Sequence, residues 1–285
     1  MGLNRGWSTR ASTAPTRAVR QPPAGADVVQ ASFSNLGAAV VLGVDALRSL
    51  TTKRPIWMRE AAIQSVFILR TVMRPVLAVN AIFALSIIGL ALGVPLEQLG
   101  ASDRNAAFLG VGLIREFGVT MTGAVFAGVI GTTYTAEFGA RKIREELDAL
   151  RVIGIDPVRS MVVPRIVAMC VMSPVVFLLG FVAGAVGTYL ASTQYFGSSG
   201  GPFIPQLLSN TSWIDLWAGI AKVMVFGVVI AVIACAKGMH AQGGAQGVGR
   251  AVNESVVACL VAVFFINIVY TQLLLGQFPD LSVFR

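Results

Sequence analysis

The chain has 285 residues, of which 55% are hydrophobic and 13% charged, with a net charge of +8. Several uncharged apolar runs of about 20 residues are each long enough to cross a hydrocarbon core as a helix, which excludes a soluble domain; because they are continuous rather than alternating, they also exclude a β-barrel. The basic excess fits water-side loops and anionic lipid surfaces, not nucleic acid.

Residues 1–27 are basic and rich in Ser, Thr, Pro and Ala, with Asp27 the first acid. This composition predicts a disordered cytoplasmic tail. It has no apolar core and so is not a secretory signal, although its Arg/Ser bias also resembles an organellar transit peptide. Residues 28–74 predict two amphipathic helices lying on the cytoplasmic leaflet. In the first, Phe33, Leu36, Val40, Val44 and Leu47 recur at helical spacing until Lys53-Arg54-Pro55 interrupts. In the second, Ile56 to Arg74, a helical wheel gathers Arg59, Arg70 and Arg74 on one side and Trp57, Ala61, Ile68 and Val72 on the other.

Five spans follow, at about Val76 to Val94, Ile114 to Ala136, Ile166 to Leu190, Ile214 to Ala236 and Ser255 to Leu275. The fold class is therefore all-α, a polytopic helical membrane protein. Ten Lys and Arg precede the first span, and six more lie in residues 137–165. Lys237 and Arg250 lie between the last two spans, whereas the other loops hold only Arg104. This excess predicts a cytoplasmic N-terminus and an extracytoplasmic C-terminus. Gly180 with Gly184, and Gly123 with Ala127 and Gly131, are small-residue pairs that permit close helix contact within the chain or with a partner. Cys170, Cys235 and Cys259 all fall in apolar runs and read as small core residues.

Residues 137–165 hold eleven charged residues between two uncharged runs, 117–136 and 166–214. Such a segment belongs in water, and a short helix is expected there. Ile143, Leu147 and Leu150 form one apolar stripe on that helix, surrounded by Arg144, Glu145, Glu146, Asp148 and Arg151. Gly154 reads as its stop. A helix that cannot bury its own stripe is expected to dock on another cytoplasmic protein.

The chain contains no G-x-x-x-x-G-K-[ST] nucleotide loop. The run GGAQGVG at 243–249 follows a span rather than a strand and reads as a flexible turn. His240 is the single histidine and has no ligand-spaced companion, so neither a metal site nor a catalytic set can be assembled. Arg115, Glu116 and Lys222 lie at membrane depth, and charges there are functional-site candidates by default. They are expected either to line a cavity for a lipid headgroup or carboxylate or to snorkel to the outer interface.

Several stretches then carry a family resemblance. I114-R-E-F-G, the run T-A-E-F-G-A-R-K-I-R-E-E-L-D-A-L-R-V-I-G-I-D-P, V-V-P-R-I-V-A, A-K-V-M-V-F-G around Lys222, and G-G-A-Q-G-V-G-R-A-V-N-E-S-V-V resemble the MlaE/YrbE family of ABC-transporter permeases. The resemblance covers residues 55–275. It is nearest to the YrbE A-type subunits of actinobacterial Mce operons and makes 75–285 the permease domain. It implies a B-type permease partner in a heterodimer, a cytoplasmic ATPase dimer that binds ATP and Mg, and Mce proteins on the outer side. It also implies import of fatty acids, sterols or related lipids. Ile143 to Arg151 would be the coupling helix between the second and third spans, and Arg115, Glu116 and Lys222 would line the lipid pathway. No cofactor is expected in this chain. Many family members have Pro where this chain has Val119 and Arg where it has Val129, so substrate rules drawn from them, such as phospholipid handling, are not carried over to this chain. The rival expectation is a non-transporting membrane scaffold for envelope proteins.

Overall fold

Without water nearby, a long apolar run can satisfy its backbone only by folding on itself as a helix. The computed structural model describes residues 37, 41–46, 57–100, 105–196 and 200–277, and it contains no strand among them. Five helical segments there are long and apolar enough to cross a membrane: Met58–Gln98, Ala106–Ile143, Val158–Gln194, Trp213–Met239 and Gly244–Gln277. The all-α polytopic architecture follows from them. The tail at 1–27 and most of the first amphipathic stretch lie outside the described residues. Leu42 and Ala46, in its described part, are buried against the main core.

The first crossing is α1 (Met58–Phe83), a π-helical stretch Ala84–Ala91 and α2 (Gly93–Gln98). The second strings together α3 (Asn105–Val111), a π-helical Gly112–Glu116, α4 (Phe117–Phe126), a π-helical Ala127–Gly131 and α5 (Thr132–Ile143). The charged island carries α6 (Glu146–Val152), and Val158–Val162 leads from it into α7 (Val163–Gln194). The short α8 (Phe203–Asn210) precedes α9 (Trp213–Met239) and α10 (Gly244–Gln277).

Two helix boundaries differ from the expectation. The second amphipathic stretch and the first span are one helix, because α1 continues through Pro75. Pro75 removes one backbone bond, but α7 packs along α1 and burial holds the helix together. The face expected to be apolar is indeed the buried one: Ala61, Ile68 and Val72 are inside, while Arg59, Arg70 and Arg74 are exposed. The glycine run at 243–249 is not a loop. Only Gly243 and Gly244 have left-handed φ, of 90° and 69°, and α10 starts at Gly244. A Cβ at Gly247 would collide with the Gln242 carbonyl oxygen, so the tight helix start requires glycine there.

The small-residue pairs work within the chain. A Cβ on Gly184 would stand 2.5 Å from Leu113 and one on Gly180 3.0 Å from Val76, so these glycines let α7 lie close against α1 and the second crossing. Gly123 faces Phe226 and Val263 in the same way. The main core gathers Phe126, Ile130, Tyr134, Phe138, Phe177 and Phe226 around α9, which packs against α5, α7 and α10. Buried hydroxyls and amides join the helices: Thr135 donates to Ser255 at 2.8 Å, Ser173 to the Val223 carbonyl at 3.1 Å, and Asn80 to Thr122 at 3.3 Å. Cys235 and Cys259 are buried and all three cysteines are free. The island caps one end of this bundle, and Arg115, Asp215 and Lys222 lie toward the other.

Candidate functional site

Membrane-depth charges must find partners inside the protein or reach water, because an unpaired ion in an apolar medium is costly. Here they pair with one another. The π-helical Gly112–Glu116 presents Arg115 toward α9, where Nε and Nη2 meet Asp215 Oδ1 and Oδ2 at 2.7 and 3.1 Å. This two-pronged contact is the strongest geometry available to an Arg–carboxylate pair. Asp215 also belongs to the capping box that starts α9. Its Oδ2 accepts from the Ser212 backbone N–H at 3.0 Å and hydroxyl at 2.9 Å, and Ser212 Oγ accepts from the Asp215 N–H at 3.2 Å.

Lys222 lies two turns further along α9. Its side chain is 3% exposed and points inward, so it does not snorkel. Nζ donates to the Arg115 carbonyl at 2.7 Å and to Asn267 Oδ1 and Thr271 Oγ1, both at 2.8 Å. Glu116 Oε1 is 3.7 Å from Nζ. Asn267 Nδ2 and Thr271 Oγ1 in turn donate to Glu116 at 2.6 Å each. Thr271 thus accepts from the lysine and donates its hydroxyl proton to the glutamate. Tyr270 adds its ring face, 5.8 Å from Nζ. Two cations and two carboxylates sum to zero, so the cluster is neutral and stable inside an apolar bundle. Glu116 is its most exposed charged member.

Arg115, Glu116 and Lys222 are thus brought together. Asp215, Ser212, Asn267, Tyr270 and Thr271 were not anticipated. The available signal was Asn267 and Thr271 at i and i+4, one polar face on an otherwise apolar span.

The island departs from the single-stripe expectation. α5 ends at Ile143, and Glu145 takes a left-handed φ of 59° before α6 starts. Ile143 is therefore on a different helix from Leu147 and Leu150. Leu147 is 2% exposed and belongs to the chain's own core, and Leu150 is half-buried. Leu147 also faces a cavity of about 520 Å³ that Leu42, Asp45, Lys142, Arg151 and Met239 help to line. The apolar surface offered to water is instead Val152, Ile153 and Ile155, with Ile143 to one side. These residues flank Gly154, whose φ of 81° turns the chain and holds them outward.

Several of the charges that surround this surface are paired. Lys142 reaches Asp148 at 2.7 Å, Arg151 reaches the same carboxylate at 3.2 Å, and Arg144 meets Glu146 at 2.8 Å. The Lys142 hydrogen bond holds the Asp148 carboxyl below its usual range. A depressed acid contributes stability that is present above its ordinary value, about 3.9, and is lost as pH falls through the depressed one. Asp148→Asn is therefore expected to lower the thermal midpoint slightly at pH 7. The difference from the parent should close as pH drops below about 4 and shrink in molar salt, because the pair is exposed. A gap that persists at low pH would show that Asp148 acts otherwise.

Comparison with known proteins bears on both regions. Residues 62–273 match the family model described as Permease MlaE, which includes the island and every member of the buried cluster. A protein of Rickettsia typhi named "Probable ABC transporter permease protein" is 30% identical over 200 residues, covering 70% of this chain and 77% of that protein. One of the same description from Synechocystis is 33% identical over 184 residues, covering 65% and 70%. The chloroplastic protein TRIGALACTOSYLDIACYLGLYCEROL 1 of Arabidopsis thaliana is 32% identical over 175 residues, covering 61% of this chain and half of that protein. With the family model spanning most of the chain and five membrane-crossing helices in place, this protein belongs to the MlaE family of ABC-transporter permeases.

Proposed function

We propose that this chain is the permease subunit of an ATP-driven, Mce-type importer of fatty acids, sterols or related lipids in the plasma membrane. The observation that carries the reading is the neutral cluster of Arg115, Glu116, Asp215, Lys222, Asn267 and Thr271, set in the bundle at the end away from the island. An acidic lipid head can compete with Glu116, the more exposed of the two carboxylates, for Lys222, and the displaced carboxylate is the one able to reach solvent. The Arabidopsis relative bears the name of a glycolipid, which favours a lipid cargo. The basic loops favour a cytoplasmic N-terminus and island, with the C-terminus outside.

In this reading ATP and Mg bind to a separate ATPase dimer, and a B-type permease and outer Mce proteins complete the complex. Val152, Ile153 and Ile155, together with Arg144, Glu145, Glu146, Asp148 and Arg151, make the coupling contact with the ATPase. Movement there favours one arrangement of the permease pair and cargo favours the other, which is the differential binding that drives a conformational cycle.

The test is ATP hydrolysis and lipid uptake by the reconstituted complex, with fatty acids and sterols as trial cargo. Lipid-dependent hydrolysis is expected. Its absence with every lipid tried would leave a membrane scaffold as the better reading. Lys222→Ala is expected to assemble but to lower uptake roughly tenfold or more, as loss of a charge-assisted hydrogen bond allows. Uptake at the parent rate would remove Lys222 from the pathway.

A further inference from the structure

One cation at the end of the charged island is buried and takes no part in the contacts described so far. Arg165, in the first turn of α7, has a side chain that is 3% exposed. Its Nη2 donates to Glu137 Oε2 at 2.7 Å and its Nη1 to the Met161 carbonyl at 2.8 Å. The guanidinium lies over the rings of Phe138 and Tyr134, 4.7 and 5.3 Å from their centroids. Glu137 belongs to α5 and uses its other oxygen to accept from Arg141 Nη2 at 3.0 Å. Arg141 Nη1 is 3.8 Å from Glu146 Oε2 in α6, and Glu146 Oε1 is 2.8 Å from Arg144 Nε. Charges of alternating sign therefore run unbroken from the exposed island, along the last turns of α5, into the buried foot of α7.

We propose that this series, with the Glu137–Arg165 pair as its joint, transmits displacement of the island to the third membrane-crossing helix. The backbone alone is poorly suited to that task. The left-handed residue Glu145 separates α6 from α5, and the turn at Gly154 separates it from α7. Either turn can absorb a push on α6. The side-chain series bridges both breaks. Its outer pairs are exposed and individually weak, but separating Glu137 from Arg165 would leave a charge buried without a partner. The joint therefore moves as a unit, and α7 carries the motion to the opposite end of the bundle, where Tyr195 follows its last turn. Glu137, Arg141 and Arg165 are positioning residues for coupling. The inference rests on the island being the ATPase contact.

The experiment uses the permease complex with its co-expressed ATPase, in vesicles of phosphatidylethanolamine and phosphatidylglycerol. Nitroxide labels sit on Tyr195→Cys and Trp213→Cys in a Cys170→Ala background; both labelled positions are exposed. Trapping with ATP and vanadate is expected to shift the label distance in this parent. Glu137→Gln should retain the ATPase while the shifted population falls roughly tenfold, the size of an ordinary coupling between sites. Glu137→Asp, which keeps the charge, should restore much of the shift. Arg141→Gln cuts the same series at a half-exposed position, should lower the shift in the same direction, and serves if Glu137→Gln does not assemble. A parent with no shift, an undiminished shift in Glu137→Gln or Arg141→Gln, or loss of the ATPase from an otherwise intact Glu137→Gln permease would each overturn the proposal. ATPase binding is read separately with Ile153→Asp: retention there defeats the docking assignment, whereas an undiminished shift with the ATPase bound defeats the relay alone.

Discussion

Asp215→Ala is expected to destabilise the permease by about 3–5 kcal/mol, the scale for removing one partner of a buried ion pair. Asp215 is 3% exposed and serves two structures at once. It neutralises Arg115 through two contacts and closes the capping box with Ser212 that starts α9. Alanine abolishes both. The guanidinium then remains largely buried without its counter-ion, and the first turn of α9 loses a cap worth about 1 kcal/mol. In a chain of this size the thermal midpoint should fall by roughly 10 °C. Asp215→Asn keeps an acceptor for Ser212 and for one arm of Arg115, so it should lose only about 1–3 kcal/mol. The loss should be nearly independent of salt, since buried pairs are screened much less than exposed ones. Thermal unfolding of the purified permease checks all three statements. An alanine variant as stable as the parent would mean that Arg115 finds another partner at no cost.

The spans were legible because burial in lipid acts on every residue of a run, and a run of about 20 apolar residues has one economical conformation. The arginine face of α1 was legible for a related reason, since helical periodicity is written locally. The partners of the buried cations were not. Arg115 and Asp215 are 100 residues apart, and Thr271 lies 155 residues from Glu116. No local pattern encodes such pairings, and a lone Lys222 reads equally well as a snorkelling side chain until Asn267 and Thr271 are seen beneath it. The divided island was hidden differently. K-I-R-E-E-L contains neither Gly nor Pro, yet the helix breaks at Glu145 in a conformation that non-glycine residues seldom adopt. At 243–249 the error ran the other way. Glycines normally mark loops, but here they admit a close backbone approach at the start of a long helix.

The break at Glu145 reverses the roles of two island residues, and a pair of substitutions reads the reversal directly. On a single exposed stripe, Leu147→Asp would detach the ATPase and leave the permease intact. With Leu147 buried in the core, the same change places a carboxylate among apolar neighbours. Truncating a core leucine already costs about 2–5 kcal/mol, and an unpaired charge adds to that. Leu147→Asp is therefore expected to unfold or aggregate the permease itself. Ile153→Asp changes a side chain that is 69% exposed and should alter stability by no more than about 0.5 kcal/mol. Its effect should appear only in partnership, as a loss of co-purifying ATPase from a permease that still melts at the parent temperature. Thermal midpoints and the ATPase-to-permease ratio after purification decide the matter together. A stable Leu147→Asp permease stripped of its ATPase would restore the single stripe. A stable Ile153→Asp permease that keeps its ATPase would move the contact away from Val152, Ile153 and Ile155. The expected combination, a core lesion at 147 and a partner lesion at 153, requires one short helix to face inward with one side and present the turn after it to a second protein. Such a helix is held firmly enough to transmit force and exposed enough to receive it.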